Sequence, residues 1–386
     1  MQDAVLIRRN GEKVLAFDRT EYDTRLEGLR DLLNLHGLDA VVLTSVHGVG
    51  YYGGLLPAPL GRAQALVVTG TDAVVVTAAF AGNAAVRSSP FDAVLHDDDG
   101  RDRFWRAVAS VTGTARAVGV EADHLTMVQA DMMNHFLRPR RGMDVAPATR
   151  MQRLVKSDAE LGLIETGAEI AQSAVAAMRD ALRVGLRGHD LLRIGAGVLD
   201  AQTARHFPDA APGAGQVWVQ SGPDTDGICA APSSRKIRDG DPVTLTCVAM
   251  VAGYGVPVTR SFIAGTGPAG LVDRWTQLAD HQQTVLAGVR PGQSCADLAS
   301  LLGQHADSPG GYGHSVGFSG LPGLREAGLD LRADNDTALE TGMVLSLGAL
   351  RPAASGGLRC SDVVILTADG ADVLTDLSRC PDTLPA

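Results

Sequence analysis

Residues 216–262 read QVWVQSGPDTDGICAAPSSRKIRDGDPVTLTCVAMVAGYGVPVTRSF. Apolar runs alternate here with tight polar turns, the pattern of strands joined by hairpins on a curved sheet. Gly222, Gly227 and the Asp239-Gly240-Asp241 turn punctuate it. The stretch also carries two thiols, Cys229 and Cys247, and a Gly253-Tyr254 … Thr259-Arg260-Ser261-Phe262 segment.

Working outward, 386 residues is long for one hydrophobic core, so two domains are expected. Residues 1–150 alternate helix and strand. The run 19–35 is amphipathic, with Leu26, Leu29, Leu32 and Leu33 on one face. Strand-like runs follow at 40–44, 65–69, 73–77 and 117–119, which suggests a small α/β layer domain. A capping-box pattern, Ser157-Asp158-Ala159-Glu160, opens a long amphipathic helix. We therefore divide the chain into 1–150 and 151–386. Helices over about 157–185, 190–205, 269–288 and 295–305 flank strands without regular βαβ spacing. One curved antiparallel sheet fits this better than a Rossmann fold or a barrel.

Bulk properties exclude several functions. A net charge of −10 argues against a nucleic-acid partner or an anionic membrane surface. No apolar run reaches membrane-spanning length, and charges stand where a signal peptide needs an apolar core, so a cytoplasmic protein is expected. Five cysteines without paired spacing fit reduced thiols rather than a disulfide framework. No CxxC pair or HExxH motif offers an independent metal site.

The Gly240-Asp241 turn and the Gly253-to-Phe262 segment resemble the pita-bread superfamily of creatinase, aminopeptidase P, prolidase and methionine aminopeptidase, with the creatinase type nearest. The resemblance covers almost the whole chain. It runs through Ile7-Arg8-Arg9-Asn10-Gly11-Glu12-Lys13-Val14, Tyr51-Tyr52, Gly61-Arg62 with Ala65-Leu66-Val67-Val68, and Gln220-Ser221-Gly222 with Thr225-Asp226-Gly227. It continues through Gly311-Tyr312-Gly313-His314-Ser315, Arg325-Glu326-Ala327-Gly328-Leu329, and Leu339-Glu340 with Gly342-Met343-Val344. It implies an α/β (α+β) fold: a small N-terminal creatinase-type α/β domain and a C-terminal pita-bread domain. It also implies a homodimer with its pocket at the subunit boundary.

Metal-dependent members hold two divalent ions with two Asp, one His and two Glu, whose hard oxygens suit a bridging hydroxide. The resemblance places these positions on Thr246, Pro257, His314, Gly348 and Ser361. Four of the five ligands are replaced, so no metal and no other cofactor is expected. The creatinase type works without metal, using a base histidine and two glutamates around a guanidinium cation. Those positions fall on Cys229, Thr259 and Gly348. Arg325 matches a carboxylate-binding arginine, and Arg62 the arginine contributed by the partner subunit.

Without the two carboxylates, a buried guanidinium would go uncompensated at a cost of several kcal/mol. Arginines at 325 and 62 grip an anion, so the expected substrate is a small molecule with a carboxylate and no strong cation. Cys229 is expected as nucleophile or acid/base and His314 as proton shuttle. Thr246, Thr259 and Ser361 are small polar candidates for substrate binding. Cys247 and Cys360 lie one residue from family metal positions, and strand alternation points them away from the pocket. The expected function is metal-independent chemistry on a C–N bond: hydrolysis by family default, with a lyase or a rearrangement open, in an enzyme recruited to specialised metabolism. The alternative is a catalytically inactive module that binds a small ligand or a protein.

Overall fold

A computed structural model describes residues 4–7, 13–56, 61–81, 87–97, 100, 102–208, 215–227, 234–267, 269–303, 311–321, 325–326, 328–351, 356–379 and 383–384. The chain forms two compact units: residues 1–153 with 318–321, and residues 154–317 with 322–386.

The first unit is built on a seven-stranded sheet: β1 (Ala4–Ile7), β2 (Ala40–Leu43), β3 (Ala65–Thr69), β4 (Ala73–Ala78), β5 (Asp92–His96), β6 (Ala117–Val120) and β7 (Arg141–Asp144), in the order β1-β5-β4-β3-β2-β6-β7. Pairing is mixed: β2 with β6, β4 with β5 and β6 with β7 are parallel, the rest antiparallel. The Arg19–His36 helix buries Leu26, Leu29, Leu32 and Leu33, as its apolar stripe requires, and ends on Gly37 in the left-handed region. The Arg103–Thr112 and Met127–Leu137 helices were absent from the sequence reading. The second carries a capping box between Thr126 and Gln129 that the sequence does display.

In the second unit the Asp158–Ala181 helix starts on the expected capping box. Ser157 Oγ accepts from the Glu160 amide at 3.2 Å, and Glu160 Oε2 accepts from the Ser157 amide at 3.1 Å. The other oxygen of Glu160 accepts from the buried Tyr254 hydroxyl at 2.8 Å, which ties the helix start to the sheet. That sheet contains β8 (Gln216–Ser221), β9 (Pro242–Val251), β10 (Tyr254–Ala264), β11 (Tyr312–Ser315), the short β12 (Gly317–Phe318), β13 (Val344–Arg351), β14 (Leu358–Thr367), β15 (Gly370–Val373) and β16 (Thr383–Leu384). Its main path is β11-β13-β14-β10-β9-β8, antiparallel throughout.

A two-residue turn, Ala252-Gly253, joins β9 to β10, with φ of 48° and 88°. Positive φ at both positions is the mirror-image hairpin turn whose twist suits antiparallel strands. It fixes the register from Val251 opposite Tyr254 down to Thr246 opposite Thr259. Alternation then separates two faces. The back face, with Leu245, Cys247, Val258, Phe262 and Cys360, packs on the Asp158–Ala181 and Leu271–Gly288 helices through Ala171, Val175, Met178, Leu271, Trp275 and Leu278. Each such aliphatic or aromatic side chain contributes about 1.5–3 kcal/mol by leaving water. The thiols of Cys247 and Cys360 lie in this core as alternation requires, and burial pushes both up to about 12.

Candidate active site

The front face is polar, and strand register assembles it. Thr246 pairs with Thr259, Thr259 with Ser361, Ser361 with Gly348, and Gly348 with Tyr312. One row thus crosses β9, β10, β14, β13 and β11, and it brings together Thr246, Thr259 and Ser361. The Thr246 and Thr259 hydroxyls are 3.0 Å apart and hydrogen-bonded. In the next row Thr244 and Ser261 share a hydrogen bond of 2.9 Å, and Ser261 Oγ also accepts from the Arg359 amide at 2.8 Å. On the other side of the first row, Pro257 stands opposite Val248.

Three side chains join this face that the sequence reading did not single out as site residues. Tyr312 lies over Gly348: a Cβ on that glycine would stand 2.6 Å from the ring's Cε2 and 2.7 Å from the phenol oxygen. The Ser361 and Thr259 hydroxyls belong to the same row. Burial pushes the phenol pKa up, while the nearby Arg359 guanidinium and those two hydroxyls pull the other way. Arg359 is buried and donates to Gln220 Oε1. Gln220 Nε2 in turn donates to the carbonyls of Asp224 at 2.7 Å and Gly227 at 2.9 Å. That fixes the turn two residues before Cys229. Cys229 itself lies outside the described residues.

His314 sits two residues along β11 from Tyr312, opposite Ser346. Strand β11 is held on its other side by Leu329 and Leu331, whose backbones bond Ser315 and Gly313. The Nδ1 atom of His314 lies 2.8 Å from the Ser315 carbonyl. A carbonyl only accepts, so the neutral ring carries its proton on Nδ1 and presents the Nε2 lone pair. Burial lowers the His314 pKa. The Ser315 carbonyl and Asp330 oppose this, and the Arg325 guanidinium adds to it. Arg325, exposed, is therefore close enough to repel a charged imidazole. Arg62 belongs to the other unit, where it is exposed with its guanidinium 6.0 Å from the Phe80 ring centre.

A buried ion cluster backs the row. Arg260 Nη1 donates to the carbonyls of Thr259 at 2.9 Å and Ser361 at 2.6 Å, and its Nη2 pairs with Asp362 Oδ1 at 2.6 Å. Thr375, Gln282 and Arg379 supply the remaining donors to Asp362. The two row residues are thus gripped by their own carbonyls from behind the sheet. A separate groove of about 470 Å³, lined by Arg187, His189, Asp190, Leu192, Arg193 and Ser234, contains none of these residues.

A two-domain protein with a polar front row on a curved antiparallel sheet is the class this architecture defines. The chain belongs to metallopeptidase family M24, whose model matches residues 162–368, preceded by a creatinase/prolidase N-terminal domain over residues 25–155. It is 32% identical to the creatinase of Bacillus sp. (strain B-0618), over 98% of this chain and 96% of that protein. It is 23% identical to the agropine synthesis cyclase of Rhizobium rhizogenes, over 93% and 97% of the two chains. In three dimensions it is similar to the dipeptidase PepE of Mycobacterium ulcerans, with a TM-score of 0.78 and 20% identity over 97% of this chain and 100% of that one. The fold is thus a creatinase-type α/β domain followed by a pita-bread domain.

The family's name implies metal, and the donor set here does not fit it. Threonine, proline, glycine and serine at 246, 257, 348 and 361 supply no carboxylate, and the Tyr312 ring covers Gly348. Among the described residues no group of three or more His, Cys, Asp and Glu side chains is placed to hold an ion. Among the same residues no helix is long and apolar enough to cross a membrane.

Proposed function

We propose that the chain is a metal-independent enzyme acting on a C–N bond of a small carboxylate-bearing molecule. The observation that carries this reading is His314: its tautomer is set by the Ser315 carbonyl, and burial holds the ring neutral. Such an imidazole takes a proton through Nε2 and returns it to a leaving nitrogen. Arg325 holds the substrate carboxylate, and Arg62 of a second copy in a homodimer completes the grip. Cys229 is the nucleophile: its thiolate adds to the carbon of the C–N bond, the amine leaves with the proton from His314, and water releases the product. Thr246, Thr259 and Ser361 hydrogen-bond the substrate. The likeness to both a creatinase and a cyclase supports a reaction that ends either in hydrolysis or, where a substrate group replaces water, in ring closure.

The test is alkylation of Cys229 against pH, read by peptide mass spectrometry. Cys247, Cys295 and Cys360 serve as internal controls, since burial raises them to about 12, 11 and 12. A Cys229 thiolate that persists below the ordinary cysteine pKa of about 8.5 supports covalent catalysis. A rate that tracks the controls removes Cys229 from the mechanism and favours the inactive binding module.

A further inference from the structure

The chain leaves the second unit after Gly317, runs through the first as Phe318–Leu321, and returns at residue 322. Its seat in the first unit is the Val46–Gly53 helix. Buried Glu121 fixes the start of that helix, accepting from the amides of Thr44 at 2.8 Å and Ser45 at 2.9 Å and from the Ser45 hydroxyl at 2.6 Å. Near its other end the Tyr51 carbonyl accepts from buried Arg25 at 2.8 Å, and the same guanidinium lies 4.0 Å from the centre of the Tyr51 ring. Between these fixed points stands Gly50, whose missing side chain leaves a notch. The Phe318 ring fills it: a Cβ on Gly50 would stand 2.5 Å from the ring's Cε1. Phe318 is buried and also meets the Tyr51 ring edge-on, with centres 6.5 Å apart. Two residues on, Gly320 turns at φ 74°, and a Cβ there would strike Val46 Cγ1. In a close-packed interior such a ring has no room to shift.

The residues before Phe318 belong to the second unit and carry the candidate base. The Ser315 amide donates to the Leu329 carbonyl at 2.9 Å, and the Val316 amide to the Val344 carbonyl at 2.8 Å. Gly317 is closed in by buried Lys156 and Glu326: a Cβ there would stand 2.8 Å from Nζ of the lysine and 2.6 Å from Oε2 of the glutamate. His314 lies three residues before Gly317, and Arg325 directly precedes Glu326. With no slack between them, a displaced Phe318 pulls on β11 rather than on a loose loop. We propose that Phe318 is a positioning residue for this site: the Gly50 notch of the first unit sets the ring, and the ring sets where β11 holds His314. The inference rests on the reading of His314 as a site group, and it gives the N-terminal unit a part in the geometry of that site.

Hydrogen exchange of the full-length protein, read by mass spectrometry, tests this without a substrate. Gly50→Ala crowds the ring and Phe318→Leu under-fills the notch. Each is expected to speed exchange of the 313–316 and 329–331 amides about tenfold. The 243–251 amides of β9 should keep the wild-type rate. In Gly50→Ala/Phe318→Leu the added methyl takes up the space that the smaller side chain leaves, so the two effects should cancel rather than add. Single variants that leave 313–316 at the wild-type rate overturn the proposal, even where the first unit melts earlier, because Phe318 then only packs. Equal acceleration of the 243–251 amides overturns it as general loosening, and so does a double variant no slower than the faster single. Should Gly50→Ala fail to fold, Phe318→Leu decides alone by the same comparison of 313–316 with 243–251. Cys229 alkylation does not enter this readout, so covalent catalysis and the positioning role of Phe318 fail separately.

Discussion

Replacing Asp362 by Asn should unfold the second unit at a much lower temperature, through charge rather than volume. Asp362 is fully buried and accepts five hydrogen bonds, from Arg260, Thr375, Gln282 and twice from Arg379. The asparagine keeps the shape but leaves two guanidinium groups facing a neutral amide, one of them fully buried. Removing one partner of a buried pair typically costs about 3–5 kcal/mol. A domain of this size loses about 2–4 °C per kcal/mol, so the melting temperature should fall by about 6–20 °C. The sign with pH follows from the carboxyl. Burial would raise its pKa, but Arg260 and Arg379 outweigh burial and hold it below the usual carboxylate value. A depressed folded pKa means stability that is fully present above the unfolded value of 3.8 and lost as pH falls through the lower folded value. The gap between wild type and D362N should accordingly be flat above pH 3.8 and close only in stronger acid. Differential scanning calorimetry across that range measures both quantities. A loss under about 1 kcal/mol, or a gap that closes near neutral pH, refutes the argument that the Asp362 carboxylate compensates buried guanidinium charge.

Two further outcomes follow from the same geometry. His314 has a folded pKa below its ordinary 6.5, so the unfolded chain binds the extra proton first and stability falls as pH drops below 6.5. His314→Gln should flatten that slope in urea titrations between about pH 7 and 5, and an unchanged slope would place the titration elsewhere. At the β9–β10 turn, Ala252 is held at φ 48°, which costs a residue with a Cβ about 1–2 kcal/mol. Ala252→Asn should recover about 0.5–1 kcal/mol of that, and a lower unfolding midpoint would contradict it.

The sequence displays some of this fold because the relevant signals are local. The Ser157 capping box, the Arg19–His36 stripe and the Asp239-Gly240-Asp241 turn each depend on a few neighbouring residues, and each stands where the sequence places it. Strand β7 was not legible, because its four residues are exposed or half-buried and lack an apolar alternation. Tyr312 was not legible as a partner of Gly348 because residues 313–347 separate them, and only sheet register brings them together. The front row was half legible. Thr244 and Thr246, Thr259 and Ser261, and Arg359 and Ser361 recur at the two-residue period of a polar strand face.

What the period could not explain was a charge on the apolar side of two of those strands, Arg260 in one and Asp362 in the other. Read strand by strand, each is an error in a core face, a charge that burial alone would penalise by several kcal/mol. The pairing of Thr259 with Ser361 makes the two strands neighbours, and the apparent errors become one ion pair. The guanidinium spends its remaining donors on the carbonyls of Thr259, Ser361 and Leu377. Two violations of the binary pattern on adjacent strands, each one residue from a hydroxyl of the front row, thus locate the clamp behind the site. The clamp fixes the backbone that carries the Thr259 and Ser361 hydroxyls, which is why D362N should disturb ligand recognition in any molecules that remain folded.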